Sequence, residues 1–292
     1  MLVTAIALGI VIGSSSRKAP AEGSSAAPPT AEGPARTAPA AQAPSVAAPQ
    51  EAASGGPVST ADWKQSKDPV PILMYHDVEA ATADAPLPEL HVDSGDFRDQ
   101  MKWLADNGYT GVTIKQLSDA WYHGGVLPKK PVVISFDDGF KSHYTVALPE
   151  LQNLGWPGVI NLEAYAPKGL PDDAPLSPGH VKSLLAAGWE LASHSITHPD
   201  LTTVTPEQLA SEVEKSKRGL EKQFGVEIEH FCYPAGQYNQ AVADEVKKAG
   251  YTTASSVEPG LASRDEPYDL NRIRINASDG LSGFVASMQS AG

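Results

Sequence analysis

The sequence predicts an α/β fold with a parallel sheet that is either open or closed into a barrel. After Asp62, short runs rich in β-branched and aromatic residues alternate with amphipathic helical segments, which is typical of strands joined by helical crossovers. The run Val132–Phe136 is apolar or small throughout, as expected of a buried strand. In both kinds of sheet the functional site lies at the carboxyl ends of the strands. The residues that directly follow each strand are therefore the first candidates for function.

Seven segments are predicted as strands and five as helices. The strands comprise residues Ile72–His76, Val132–Phe136, Gly158–Leu162, Trp189–Ser193, His230–Tyr233, Tyr251–Ser255 and Arg272–Ile275. The helices comprise residues Asp96–Asn107, Tyr144–Asn153, His180–Ala187, Pro206–Phe224 and Gln240–Ala249. Both ends of the fourth helix are marked in the sequence, by Thr205 as its N-cap and by Gly225 just past its end.

The first 61 residues are not predicted to belong to this fold. Residues 2–12 form an apolar run of 11 residues, which as a helix spans roughly 17 Å, against a hydrocarbon core of about 30 Å. We interpret residues 1–13 as a signal or membrane-anchor segment. Residues 14–61 include eight prolines between Pro20 and Pro57 and few large apolar side chains, which predicts a disordered linker. The folded domain would then comprise residues 62–292.

The composition excludes several partners and cofactors. With 22 Lys and Arg against 35 Asp and Glu, the formal net charge is -13, which repels the phosphate backbone of nucleic acids over most of the surface. The single cysteine, Cys232, excludes an intramolecular disulfide and any multi-cysteine zinc or iron–sulfur site. A bound metal ion would therefore need histidine and carboxylate ligands.

Two adjacent carboxylates follow the most apolar strand. Val132–Phe136 leads directly into Asp137, Asp138 and Gly139. Neighbouring side chains of a regular strand point to opposite faces, so both acids face one cavity only if the strand stops at Asp137 and Gly139 permits a turn. The alternative is an ordinary turn with an aspartate cap.

Two histidines follow another strand. His194 and His198 can converge on one ion if the backbone makes a single helical turn between them, which must be brief because Pro199 disfavours helical geometry at His198. Two neutral imidazoles and one carboxylate form a three-ligand set that leaves positions open for water and substrate. The alternative is that each histidine is an ordinary core or surface residue.

Two further strand ends carry weaker signals. His76 ends the first predicted strand, where a side chain with a pKa of about 6.5 could transfer protons near neutrality. Pro234 and Gly236 flank Ala235, an arrangement that can expose a backbone N–H towards a ligand.

Three motifs together resemble the polysaccharide deacetylases of carbohydrate esterase family four. They are Ser-Phe-Asp-Asp-Gly at residues 135–139, His-Ser-x-x-His at 194–198 and Pro-x-Gly at 234–236. The run Leu-Met-Tyr-His-Asp-Val at residues 73–78 resembles the branch that de-N-acetylates the poly-β-1,6-N-acetylglucosamine of biofilm matrices. The resemblance extends from about Pro69 to the C-terminus. It implies a distorted (β/α) barrel of about seven parallel strands and a metal-dependent amidase reaction.

The resemblance also implies roles for individual residues. Asp137 matches the family's catalytic base, whereas Asp138, His194 and His198 match its metal ligands. Ala235 occupies the position whose backbone N–H helps to hold the oxyanion.

The sequence departs from the family pattern in two places. Cys232 stands where most members have an arginine that orients the base, and we expect Arg272 to replace it. The usual C-terminal Leu-x-His, which supplies a general acid, is absent after Arg274. His76 resembles the relocated acid of the biofilm branch.

The implied cofactor is a divalent ion, zinc in the first instance, with cobalt, nickel or iron as alternatives. The implied partner is an N-acetylglucosamine polysaccharide, acted on by a monomeric catalytic domain. The implied location is extracytoplasmic (periplasmic, cell-surface or secreted), with the N-terminal segment as a membrane tether if it is not cleaved.

Other functions compete with this interpretation. A catalytically decayed glycan-binding protein would keep the fold, and peptidoglycan or chitin-like glycans are alternative substrates for a deacetylase. A glycosidase that used Asp137 and Asp138 would need carboxyl groups about 5 to 10 Å apart across a sugar and would leave the histidine pair without a role. A non-haem iron oxygenase would leave the second aspartate without a role.

Overall fold

The computed structural model describes residues 58–165, 169–172 and 174–291. The predicted signal or anchor segment and most of the predicted linker lie outside these residues. Val58, four residues before the predicted domain boundary, packs against the main hydrophobic cluster. Within the described part of the chain, no helix has both the length and the apolar character needed to cross a membrane.

Eight strands form one parallel sheet in the described residues. They are β1 (Ile72–Tyr75), β2 (Thr110–Gly111), β3 (Pro131–Asp137), β4 (Val159–Leu162), β5 (Glu190–Ser193), β6 (His230–Cys232), β7 (Thr253–Pro259) and β8 (Leu270–Arg274). Strand β1 pairs with both β3 and β8, so seven strands close into a barrel. The short β2 pairs only with the beginning of β3. The closed barrel confirms the predicted fold class.

Seven α-helices are found in the same described residues. They are α1 (Ser94–Asp106), α2 (Ile114–Tyr122), α3 (Leu148–Leu154), α4 (Pro178–Ala186), α5 (Pro206–Phe224), α6 (Gln240–Lys248) and α7 (Gly280–Ala291). The five predicted helices are all present, and α5 has the predicted bounds. The predicted start of α3 was too early, because residues 143–147 form a π-helical turn before it.

The ends of α5 form for the predicted reasons. The Thr205 side chain accepts a hydrogen bond from the backbone N–H of Gln208, and the Gln208 side chain accepts one from the backbone N–H of Thr205. Gly225, just past the last turn, adopts a left-handed conformation with φ of 70°, which costs glycine little. The capping box and the glycine thus fix both ends of this helix.

Alternate side chains of the strands point into the barrel. At the amino ends of the strands this interior is apolar, and α2 packs against it through Ile114, Leu117 and Trp121. The strand residues next to these inward positions, such as Leu73 and Ile134, belong instead to the larger cluster that includes the surrounding helices. The inner apolar cluster includes Ile72, Val133, Val159, Ala192 and Leu270, one from each of five strands.

Towards the carboxyl ends, the inward positions become polar. Ser135, Asn161 and Arg272 each lie two positions after an apolar inward residue of the same strand. Asp137 is in register with Asn161, and Cys232 is in register with Ser255. All six side chains are 2% exposed or less. The barrel therefore holds a buried polar layer directly beneath its carboxyl-terminal opening. The layer includes Ser135, Asp137, Asn161, Cys232, Ser255 and Arg272.

Candidate active site

A cavity of about 210 Å³ opens at the carboxyl ends of the barrel strands. All seven site residues predicted from the sequence line it, together with apolar side chains that include Leu87, Leu90 and Tyr233. The structure thus brings together residues that are spread over nearly 200 positions of the chain. The seven are His76, Asp137, Asp138, His194, His198, Ala235 and Arg272.

The two adjacent aspartates reach the same cavity because the strand ends between them. Strand β3 stops at Asp137, and Asp138 and Gly139 both adopt positive φ angles, of 70° and 76°. The Gly139 N–H donates to the Asp137 carbonyl at 3.0 Å, which closes the tight turn. The strand thus stops at Asp137 and turns at Gly139, which is the condition under which both carboxylates can face one cavity.

Two side chains inside the barrel hold the Asp137 carboxylate. Arg272 forms a bidentate ion pair in which Nη1 donates to Oδ1 at 2.8 Å and Nη2 donates to Oδ2 at 2.9 Å. The Asn161 amide nitrogen also donates to Oδ1, at 2.7 Å. Burial by itself would raise the pKa of Asp137, but the Arg272 guanidinium, together with His194 and His76, outweighs burial and holds the pKa well below its usual range. Asp137 is therefore an ionised carboxylate of fixed orientation.

Arg272 is itself fixed and almost wholly buried, with 1% of its surface exposed. Its Nε donates to the Ser256 carbonyl at 2.8 Å, and Nη1 lies 3.5 Å from the Ser135 hydroxyl. The Cys232 thiol, at the position where the family pattern has an arginine, lies 3.9 Å from Asp137 Oδ2. Arg272 thus contacts Asp137 from another strand, with the geometry that its predicted orienting role requires.

Asp138 and the two histidines form a compact cluster of donor atoms. The Nε2 atoms of His194 and His198 lie 3.5 Å and 3.8 Å from Asp138 Oδ1. One donor atom from each of the three residues lies within 4.8 Å of the others. Asp138 Oδ1 is buried, yet it accepts no hydrogen bond from the described residues. A buried carboxylate oxygen without a partner is costly unless a cation or another donor binds it.

A second cluster competes as a ligand set. Donor atoms of Asp137, His194 and Cys232 also lie within 4.8 Å of one another. Both oxygens of Asp137, however, already accept hydrogen bonds from Arg272. His194 Nδ1 lies 2.7 Å from the Cys232 carbonyl, so Nδ1 must carry the proton and Nε2 is free to face Asp138. This geometry favours the cluster centred on Asp138.

The turn between the two histidines differs from the expected helical turn. Ser195 and His198 adopt positive φ angles of 66° and 53°, so the segment is irregular and His198 avoids the right-handed helical geometry that Pro199 disfavours. The His198 N–H donates to the Ser195 hydroxyl at 3.0 Å. Glu212 of α5 accepts hydrogen bonds from the backbone N–H groups that precede His198, at 2.8 Å and 3.0 Å. These contacts bring the two imidazole centroids to 4.8 Å.

His76 lies beside Asp137 in the same cavity. Its Nε2 is 4.0 Å from Asp137 Oδ2, whereas its Nδ1 is buried and has no hydrogen-bond partner in the described chain. Burial lowers the pKa of His76, and the carboxylates of Asp137 and Asp138 only partly oppose that effect. His143 Nε2 lies 2.8 Å from the His76 carbonyl and anchors the backbone there.

The Ala235 backbone is held in an unusual conformation at the cavity wall. Ala235 has φ of 50° and ψ of 16° between Pro234 and Gly236. A Cβ on Gly236 would lie 2.3 Å from a methyl carbon of Val257, so only glycine fits against that side chain. That this arrangement exposes the Ala235 backbone N–H towards a ligand stays a prediction.

Sequence reasoning missed two residues that position the site. Asn161 is the one polar side chain within the otherwise apolar run of β4, and it binds Asp137. Glu212 lies beside the apolar stripe of α5 and binds the turn that carries His198. For Asn161 the available signal was a polar side chain at a position where the pattern predicts an apolar one.

Relatives of known sequence share the domain. Residues 124–254 match the family model described as polysaccharide deacetylase. The chain is 32% identical over 234 residues to a candidate polysaccharide deacetylase of Bacillus subtilis, covering 79% of this chain and 81% of that protein. It is 28% identical over 258 residues to the poly-β-1,6-N-acetyl-D-glucosamine N-deacetylase of Escherichia coli, covering 73% of this chain and 37% of that protein. The match thus spans little more than a third of the Escherichia coli protein.

Solved structures share the fold. A deacetylase of Streptococcus pyogenes in complex with acetate aligns with a TM-score of 0.69 at 26% identity, covering 76% of this chain and 99% of that one. A candidate polysaccharide deacetylase of Bacillus anthracis aligns with a TM-score of 0.65 at 30% identity, covering 75% and 69%. Together with the 32% identity to the Bacillus subtilis relative, these findings establish that the chain belongs to the polysaccharide deacetylase family and is a deacetylase enzyme.

Proposed function

We propose that this protein removes N-acetyl groups from an N-acetylglucosamine polysaccharide, and that its substrate is poly-β-1,6-N-acetylglucosamine. The reaction is a metal-dependent hydrolysis in which Asp137 acts as base and His76 as acid. The observation that carries this proposal is the unpartnered, buried Oδ1 atom of Asp138, which faces two imidazole nitrogens. A carboxylate in this setting is suited to a cation.

The residues present fit a divalent ion. Asp138, His194 and His198 would hold it, as two neutral imidazoles and one carboxylate in an arrangement that leaves room for water and substrate. The Cys232 carbonyl fixes the tautomer of His194, as second contacts to metal-binding histidines commonly do. A bound zinc, cobalt, nickel or iron ion would supply Lewis-acid chemistry, since such ions lower the pKa of water and polarise carbonyl groups.

Asp137 is suited to remove a proton from the attacking water. Its carboxylate lines the cavity next to Asp138, and its low pKa keeps it ionised at neutral pH. Arg272 and Asn161 fix its orientation, so the carboxylate does not need to reorganise when the proton moves. Because Arg272 binds both carboxylate oxygens, Asp137 is a poor candidate for a metal ligand.

His76 and Ala235 are suited to the other half of the reaction. An amine is a poor leaving group unless its nitrogen is protonated. His76, directly after β1, lines the cavity and would donate that proton from Nε2. The backbone N–H of Ala235 would donate to the oxyanion that forms from the acetyl carbonyl.

Substrate and location are proposed from the relatives. The Escherichia coli relative and one from Staphylococcus aureus, 27% identical over 197 residues, are both named poly-β-1,6-N-acetyl-D-glucosamine N-deacetylases. Such a polymer would place this protein outside the cytoplasm. In that setting we expect residues 62–292 to act as the catalytic domain and residues 14–61 to link it to the N-terminal segment.

Acetate release from defined glycans tests the proposed function. The full chain is incubated with β-1,6-linked and β-1,4-linked N-acetylglucosamine oligomers and with peptidoglycan, and acetate is measured over time. We expect the fastest release from the β-1,6-linked oligomer. Faster release from another glycan would contradict the proposed substrate. Binding without acetate release from any of them would indicate a decayed glycan-binding protein and contradict the proposed reaction.

Removal of one ligand tests the metal site. His198→Ala leaves two of the three ligands, so both the metal content per protein and the acetate release should fall to near background. His123→Ala is a matched control, because His123 is exposed and lies outside the cavity. Stoichiometric metal in His198→Ala, or full activity after exhaustive chelation of the wild type, would contradict the assignment.

Replacement of Arg272 tests what holds the base. In Arg272→Met the guanidinium no longer lowers the pKa of Asp137, and burial then raises that pKa. A base must be ionised, so kcat/KM should now decline as the pH falls through this raised pKa. Loss of one partner of a buried pair also destabilises the fold, by about 3 to 5 kcal/mol.

Arg272→Lys serves as the conservative variant for that measurement. Lysine keeps the charge but loses the bidentate geometry, so the acidic limb of the pH profile should move less than in Arg272→Met. An acidic limb that stays in the wild-type position in both variants would show that Arg272 does not set the ionisation of the base.

Substitution of His76 tests the acid. His76→Ala should lower kcat for an acetamide by roughly 10² to 10⁴, and should lower kcat for an acetyl ester less, because an alkoxide leaves with less help from a proton. An acid works in its protonated form, so the wild-type rate should fall as pH rises through the pKa of His76. This fall in rate, the basic limb of the pH profile, should be missing in His76→Ala.

The alternative for His76 is a purely structural role beneath the first strand. In that case both substrates would lose the same fraction of activity and the thermal midpoint would drop. Equal losses together with an unchanged basic limb would remove His76 from the mechanism. Metal content, measured in parallel, should stay at the wild-type level.

A further inference from the structure

A second cavity, of about 280 Å³, lies beside the active-site cavity. The two share a wall of stacked tyrosines. Tyr233 lines the active-site cavity and Tyr238 lines the second one, and their rings stack at a centroid distance of 4.5 Å and an interplanar angle of 9°. A polymer bound in the active site would therefore find the second cavity next to it.

The aromatic side chains of this second cavity are held in place. The Tyr233 hydroxyl donates to the Tyr268 carbonyl at 3.0 Å, and the Tyr268 hydroxyl donates to the Tyr251 carbonyl at 3.0 Å. One face of Tyr238 is covered by Tyr233, which leaves the rest of its ring to line the cavity. A fixed aromatic surface of this kind suits the apolar C–H face of a sugar ring and the approach of a cation.

The charged side chains of the second cavity favour a cation. Asp244, Glu266 and Asp269 contribute three carboxylates, whereas Lys247 contributes one ammonium group. The Lys247 ammonium lies over the Tyr268 ring, 6.0 Å from its centroid. Asp269 Oδ1 is buried and accepts no hydrogen bond within the described residues. The cavity thus offers net negative charge and an aromatic ring together.

We propose that the second cavity binds a glucosamine residue of the polysaccharide, with its free ammonium group towards the carboxylates. This inference rests on the proposed function, because glucosamine is what remains when the acetyl group is removed. A chain that already carries a free amino group would then bind at two adjacent places. The enzyme would hold partly de-N-acetylated chains more tightly than fully acetylated ones.

Binding of a product-like oligomer tests this site without turnover. The full chain is titrated by calorimetry with a β-1,6-linked glucosamine tetramer, which has no acetyl group, and with its fully N-acetylated counterpart. Tyr238→Ala and Glu266→Gln should each weaken binding of the glucosamine tetramer by about threefold to tenfold. Binding of the acetylated tetramer should change much less.

Two matched variants control for non-specific effects. Tyr122→Ala removes another partly exposed tyrosine, and Asp265→Asn removes a carboxylate one residue from Glu266; neither residue lines the cavity. Both should bind the glucosamine tetramer as the wild type does. Glu266 is exposed, so Glu266→Gln keeps the test valid if Tyr238→Ala unfolds.

The possible results separate this inference from the proposed function. Equal weakening by Glu266→Gln and Asp265→Asn would mean general attraction to an acidic surface and would overturn the inference. Wild-type affinity in Tyr238→Ala and Glu266→Gln would also overturn it, as would equal loss for both tetramers. Failure of the wild type to release acetate from any glycan would instead overturn the proposed function, while the binding result would stand.

Discussion

The bidentate ion pair between Arg272 and Asp137 is the interaction on which the rest of the site depends. It uses both oxygens of Asp137 and keeps that carboxylate ionised inside the barrel. The next residue, Asp138, is turned by a positive φ angle towards His194 and His198 instead. Two chemically identical neighbours therefore have different environments: one carboxylate is paired with a guanidinium, and the other has an oxygen available to a cation. The proposed division into base and ligand follows from that difference.

The pair exists because the barrel is closed. Strands β8 and β3 are not hydrogen-bonded to each other, and both pair with β1. Closure brings their inward side chains within reach across the interior, where Arg272 meets Asp137. Such a buried pair gains little over a well-packed apolar core, but the loss of one partner leaves an uncompensated charge. The polar layer at the carboxyl ends, with Asn161 and Ser256 as further partners, satisfies both groups.

Much of this could be predicted from local sequence, and the rest depends on distant contacts. The seven barrel strands, the turn at Asp137 and the caps of α5 follow from patterns within a few residues. Strand β2, with two residues, is too short for such patterns to show clearly. Helix α2 was not predicted, although it is as long as the predicted helices α4 and α6. The irregular turn at Ser195 and His198 depends on Glu212 of a later helix. Asn161 gave only the weak signal of one polar residue in an apolar strand, because its role is set by its register with Asp137.

The most direct test of the central claim is the position of a metal ion in a crystal of the zinc-loaded protein, located by anomalous scattering at the zinc edge. The division of roles between the two aspartates predicts a single peak about 2.0 to 2.2 Å from an Asp138 oxygen and from the Nε2 atoms of His194 and His198. Both oxygens of Asp137 should remain on Arg272. A peak coordinated by Asp137 and the Cys232 sulfur, with the Arg272 pair broken, would contradict it.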